Sequence, residues 1–152
     1  MVETIQNQLK AVGVQAQIWK VEKAARWSYL RLPIAEAKYQ ALLFGFNPSN
    51  GDVGYHLAAL FRSNPDQTKA PYVWNLMWYK NSQVDELLTR GEQTTDQAAR
   101  AKLYQDAQKL IYQDAPAVWL YTPDLLVATR KNISDVIVWP TVFTIVREAG
   151  KS

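Results

Sequence analysis

The feature that most constrains the fold is the run Ala41-Leu42-Leu43-Phe44-Gly45-Phe46, which is apolar throughout and stops at Asn47-Pro48-Ser49-Asn50-Gly51-Asp52. The second segment is a strong turn signal. An uninterrupted apolar run of this kind is expected of a strand covered on both faces, as in sheets flanked by helices. A strand is therefore predicted over Ala37–Phe46, followed by a helix that starts near Asp52 or Val53 and turns Leu57, Leu60 and Phe61 to one side.

The segments around this run support the same class. Val2, Ile5, Leu9 and Val12 recur at helical spacing over residues 2–12, with Glu3, Gln6, Asn7 and Lys10 opposite. Gly13 is a natural stop. Val14, Ala16 and Ile18 then alternate with Gln15 and Gln17, the period of a strand. Lys23 to Leu32 reads as a short helix ending at Pro33. Ser82-Gln83-Val84-Asp85 has the form of a capping box with Asp in place of Glu, and Val84, Leu87 and Leu88 follow as a buried stripe. Thr95 is a candidate N-cap for a helix to about Asp114, with Ala99, Leu103, Ala107, Leu110 and Ile111 inward and Pro116 closing it. Strands are predicted over Ala117–Tyr121, Leu125–Thr129 and Val142–Val146. Helices and strands alternating in this way predict an α/β lobe with a mixed central sheet flanked by helices, at least partly parallel.

Length and composition bound the function. At 152 residues and 17.3 kDa the chain fits one domain. Surface scaling gives roughly 25,000 Å² exposed when unfolded and roughly 7,800 Å² when compactly folded, enough burial for a core. Cysteine is absent, which removes disulfides, thiolate nucleophiles, iron–sulfur clusters and zinc–cysteine sites. The lone histidine, His56, excludes any site needing two imidazoles. Glycines 45, 51 and 54 match neither a dinucleotide fingerprint nor a Walker loop. No Gly-x-Ser-x-Gly elbow is present. Asp85 and Asp124 have capping and turn roles that need no catalysis. The net charge of +3 is mild. Lys20, Lys23, Arg26 and Arg31 cluster with Trp27 and Tyr29, which reads as a solvated helix face before it reads as a nucleic-acid surface. No apolar run reaches the roughly 20 residues of a membrane span. No signal peptide is visible at residues 1–12, so the chain is expected to be cytosolic or to have its export signal elsewhere.

Several stretches, in order and at matching spacing, resemble one family. Val2-Glu3-Thr4-Ile5-Gln6-Asn7-Gln8-Leu9-Lys10-Ala11-Val12-Gly13-Val14 resembles the "iQ-x-x-L-x-x-i-G-v" step of the solute-binding proteins of peptide/nickel ABC importers (bacterial solute-binding family 5). Tyr39–Phe46 is similar to their "y-d-a-x-l-x-g-W" strand. Asn75, Tyr79, Asn81-Ser82 and Val84-Asp85 follow "N…y-x-N-P-x-v-D", with Ser82 in place of proline. Thr95 through Leu110 resembles "d-x-x-x-R-x-x-l-Y-x-x-a-Q-x-x-l". Asp114–Tyr121 and Ala128–Ile133 resemble the two segments that come next.

The resemblance implies a type II periplasmic-binding-protein-like fold, with residues 1–152 as the C-terminal lobe of a two-lobe receptor and about 136–152 as the terminal return segment. Its first strand is expected to precede Met1, leaving a sheet edge open to self-association. It implies non-catalytic capture of a peptide or other small polar solute by lobe closure, with no cofactor, no metal and no nucleic acid. The implied partners are the N-terminal lobe and the ABC permease subunits, at the periplasm or cell surface. The ligand-binding residues it implies are Phe46, Asn47, Ser49, Asn50, Asp52, Trp74 and Asn75, with Phe46 where the family has Trp. Peptide-binding members carry Asp at the Ser49 position to hold the ligand ammonium, a charge-assisted bond that a neutral hydroxyl does not supply. Arg100 and Tyr104 match the motif with a packing role. A stand-alone interaction module without a transport role is the alternative.

Overall fold

The structure, a computed structural model, describes residues 1–47, 50–69, 71, 74–139, 144–145 and 150–151. Among the described residues helices dominate: α1 (Val2–Ala11), α2 (Arg26–Leu30), α3 (Val53–Phe61), α4 (Ser82–Gln93) and α5 (Gln97–Asp114), with a 3-10 turn at Ile34–Glu36 between α2 and α3. The strands are short: β1 (Ile133–Ser134), β2 (Ile137–Val138), β3 (Thr144–Ile145) and β4 (Gly150–Lys151). β1 pairs antiparallel with β4, and β2 with β3.

Local chemistry explains several of the helix ends. After α1, Gly13 takes φ 86°, and the N–H groups of Gly13 and Val14 donate to the carbonyls of Lys10 and Leu9 at 3.1 and 2.9 Å. That left-handed turn is cheap for glycine and closes the last helical carbonyls. Asp52 caps α3, accepting from the N–H groups of Gly54 and Tyr55 at 2.6 and 3.1 Å. Helix α4 begins at Ser82 itself, so its cap lies one residue before the predicted box. Asn81 is the cap, accepting from Gln83 and Val84. Asp85 therefore lies past the boxing position and accepts instead from the Ser63 N–H at 2.8 Å, tying the preceding loop to α4. Asp96 rather than Thr95 caps α5, through the Ala99 N–H at 2.7 Å. The helix stops at Ala115, in left-handed geometry, just before Pro116.

The core lies between α3, α4 and α5, where Leu57, Phe61, Tyr79, Val84, Leu88, Tyr104, Ala107 and Ile111 pack together. The Tyr104 ring is its wedge. A Cβ placed at Gly91 would come within 2.5 Å of Tyr104 Cε1, and one at Gly54 within 2.6 Å of Cζ. Glycine at both positions lets α3 and α4 close on one tyrosine of α5. At the far end of α5, Asp114 accepts from the Tyr79 hydroxyl and the Asn81 amide, each at 2.6 Å, which staples the start of α4 to the end of α5. The Tyr79 bond is the largest influence holding the Asp114 carboxyl below its ordinary range. Burial, reinforced by the Asp114 charge, drives the Tyr79 hydroxyl upward.

The predicted central sheet is not present among the described residues. Residues 14–18, 37–46, 117–121 and 125–129 lie outside any strand. Of the Val142–Val146 strand, Thr144–Ile145 is paired, and residues 142, 143 and 146 lie outside the described residues. The physical reason is the lack of ladder partners. Strand-patterned sequence marks surface that can be buried, but a strand forms only against another strand's N–H and C=O groups. Here the patterned segments keep much of their apolar surface in solvent: Leu43 is 47% exposed, Val118 84% and Leu126 90%. The whole chain exposes 11620 Å², well above the roughly 7,800 Å² of a compact monomer of this mass.

Candidate functional site

An aromatic corner forms where three separate parts of the chain meet on Trp74. Its N–H donates to the Ala59 carbonyl at 3.1 Å, which fixes the residue against α3. Trp27 from α2 meets the Trp74 ring at 5.0 Å between centroids and 65° between planes. Phe46 meets it at 5.7 Å and 62°, and Phe44 at 6.1 Å and 32°. Phe46 also stands edge-on to His56 of α3 at 4.9 Å. Offset and edge-to-face pairs at these separations are the favoured aromatic geometries. Upstream, the Tyr39 hydroxyl donates to the Leu76 carbonyl at 2.9 Å, anchoring the segment that carries Phe44 and Phe46. Burial lowers the proton affinity of His56, so its imidazole is neutral near pH 7.

The residues singled out from sequence divide into three groups. Phe46 and Trp74 are brought together, both half-buried. Asn47 and Asn50, which follow Phe46 in sequence, are exposed, and the Asn50 amide oxygen accepts from the Asp52 N–H at 3.0 Å. Ser49 lies outside the described residues.

Asp52 and Asn75 are occupied within the fold. One Asp52 oxygen caps α3, and the other accepts from Arg100 of α5 at 2.7 Å. The Arg100 guanidinium, together with the Tyr55 and Gly54 N–H groups, holds the carboxyl below its ordinary range. Asn75 is fully buried. Its amide nitrogen donates to the carbonyls of Arg62 and Tyr79 at 2.9 and 2.8 Å, and its oxygen accepts from the Tyr79 N–H at 3.0 Å. Both donors and one acceptor site are thereby engaged inside the chain.

The corner also contains residues that sequence reasoning assigned to a solvated face. The Arg26 guanidinium lies 4.6 Å from the Trp27 ring centroid. Arg31 lies 5.3 Å from Trp27 and 5.8 Å from Trp74. The spacing of Trp27 and Arg31, one helical turn apart, was the available signal. No residue pattern near Arg31 announced Trp74, because that contact joins positions far apart in the chain.

Among the described residues no group of three His, Asp or Glu side chains is placed to hold a metal ion, and no helix is long and apolar enough to cross a membrane. A groove of about 420 Å³ between α4 and α5, bordered by Leu87, Arg90, Leu103 and Asp106, shares no residue with the corner. The corner thus brings together the rings of Trp27, Phe44, Phe46 and Trp74 with the guanidinium groups of Arg26 and Arg31.

No family model matches the chain. It is similar to glutathione-binding protein GsiB of Escherichia coli strain K12, at 30% identity over 136 residues, which is 89% of this chain and 26% of that protein. The glutathione-binding proteins GsiB of Shigella flexneri and of Escherichia coli O157:H7 are similar to the same extent. The chain therefore spans about a quarter of the length of the curated relatives it matches. These relatives are named for binding a solute and not for a reaction.

Proposed function

We propose that this chain is one ligand-binding lobe of the substrate-binding component of an ABC importer of the peptide/nickel class, acting at the periplasm or cell surface. It captures a peptide or similar polar solute without chemistry. Glutathione, itself a modified tripeptide, is the leading ligand, because the relatives matching 89% of the chain are named for binding it.

The observation that carries the proposal is the Phe46–Trp74 corner, with the exposed amides of Asn47 and Asn50 following Phe46 in the chain. An edge-to-face ring pair excludes water from a neighbouring backbone without demanding a particular side chain. Exposed amides at Asn47 and Asn50 suit peptide N–H and C=O groups, which need partners once water is excluded. Ser49 completes the proposed contact set, Trp74 forms the wall behind Phe46, and Asn75 supports Trp74 from the core. Asp52 holds the turn through its cap and its bond to Arg100.

An open wall binds weakly by itself, since it leaves most of a ligand in water. The remaining surface comes from a second lobe, which hinges shut over the solute, and the closed form docks on the permease subunits. The test is calorimetry of glutathione on the complete protein and its Phe46→Ala variant. Losing the ring is expected to weaken binding by about tenfold or more, as for a buried aromatic anchor. Unchanged affinity would reject the corner as the binding wall.

A further inference from the structure

We infer that Arg26 and Arg31, seated on the indoles of Trp27 and Trp74, form an anion subsite that takes a carboxylate of the bound solute. The inference rests on the binding wall proposed above and specifies the chemical class of its ligand.

Elsewhere on the helices, guanidinium groups have carboxylate partners: Arg62 with Glu92 at 2.7 Å, Arg90 with Glu86 at 3.6 Å and Arg100 with Asp52 at 2.7 Å. Arg26 and Arg31 have no such partner among the described residues. They rest on π faces, Arg26 at 4.6 Å from Trp27, and Arg31 at 5.3 Å from Trp27 and 5.8 Å from Trp74. Stacking orients a guanidinium and leaves its edge N–H groups free. In Arg26 the Nε–H is buried and has no hydrogen-bond partner. As the side chain stands that donor is closed to solvent and to ligand alike, so the groups that meet a carboxylate are the outer N–H groups of the exposed Arg31.

Charge placement gives the direction of binding. The Asp52 carboxylate is turned to Arg100 and to the start of α3, so it does not face the corner as a free anion. Asn47 and Asn50 are uncharged. The wall therefore offers cations and amides, the complement of a carboxylate on a peptide backbone. A planar guanidinium grips a carboxylate by two parallel N–H···O bonds, so Arg31 fixes the orientation of the ligand as well as its charge. The same arrangement disfavours a solute whose end facing this lobe is an amine.

The experiment is calorimetry on the complete protein with two probes, glutathione and glutathione diethyl ester, whose carboxylates are masked. Variants are Arg31→Ala, Arg26→Gln, Phe46→Ala and, as a distant surface-charge control, Arg130→Ala, with thermal melting to show that each folds. Arg31→Ala is expected to weaken glutathione by about tenfold or more, the usual loss for a hydrogen bond to a charged group. It should leave ester affinity within about twofold, a difference too small to represent a lost charged bond. Added salt should weaken the acid more in the parent than in the variant. Arg26→Gln should fall in the same direction, and Arg130→Ala should match the parent. Equal loss of both probes, or no loss of the acid, would overturn the subsite. If Phe46→Ala loses both probes while Arg31→Ala loses neither, the wall stands and only the carboxylate subsite fails. A parent protein that binds neither probe overturns wall and subsite together.

Discussion

Replacing Asn75 separates a structural role from a ligand-binding one, because the two roles load different measurements. The side chain is fully buried and makes three hydrogen bonds, to the Arg62 carbonyl, the Tyr79 carbonyl and the Tyr79 N–H, at 2.8 to 3.0 Å. Each bond contributes about 1 kcal/mol net, and truncation leaves its backbone partners short of a bond in a dry environment. Asn75→Ala should therefore cost about 3 kcal/mol, a large share of the roughly 5–15 kcal/mol that holds a domain together. For a chain of this size that lowers Tm by about 6–12 °C. Asn75→Asp is the sharper variant. It is nearly isosteric, keeps an acceptor for the Tyr79 N–H, and turns a carboxylate oxygen toward two carbonyls that need a donor. It should destabilise at least as much as alanine. Urea unfolding followed by tryptophan fluorescence reads both variants. A cost under about 0.5 kcal/mol, the ordinary effect of a surface change, would refute the reasoning. So would Asn75→Asp outranking Asn75→Ala in stability.

Gly91→Ala should destabilise by about 1–2 kcal/mol, since overpacking against the buried Tyr104 ring outweighs the roughly 1 kcal/mol gain in helix propensity. Tyr104→Phe should be near neutral because its hydroxyl has no hydrogen-bond partner, and it should not rescue Gly91→Ala, whose new Cβ meets ring carbons. Thermal melts of the single and double variants decide both points. Asp52→Asn should keep the α3 cap but lose the bond to Arg100. The folded Asp52 carboxyl titrates below its unfolded value, so its contribution is fully present above the ordinary carboxylate range and is lost as pH falls through the folded value. Parent and Asp52→Asn stabilities measured from pH 7 down to about 2 should converge at the acid end; a constant gap would contradict the ion pair.

The helices were legible because their signals are local. Apolar spacing and capping chemistry act within one or two turns, so α1, α3, α4 and α5 begin within a few residues of expectation, and α1 and α5 end there too. The misses there are also local: Asn81 and Asp96 outcompete the neighbouring Ser82 and Thr95 as caps. The strands failed for a non-local reason. Leu42, Leu43, Val118 and Leu126 carry the apolar pattern of covered strands, yet coverage depends on partners that the pattern does not supply, and each of these side chains is exposed.

The candidate site was legible in part. Phe46 and the Asn47–Asp52 turn stand out as an aromatic next to turn-forming amides, and the structure adds Trp74 to Phe46 at 5.7 Å. Asn75 adjoins Trp74 in sequence but points into the core, which spacing could not reveal. Arg31 reads as solvated from its own neighbours, and its second ring lies far along the chain.

The most direct measurement is a crystal structure of the complete protein grown with glutathione. The predicted result places the ligand within about 4 Å of the Phe46 and Trp74 rings, with a carboxylate on Arg31. A ligand seated away from this corner would contradict the account.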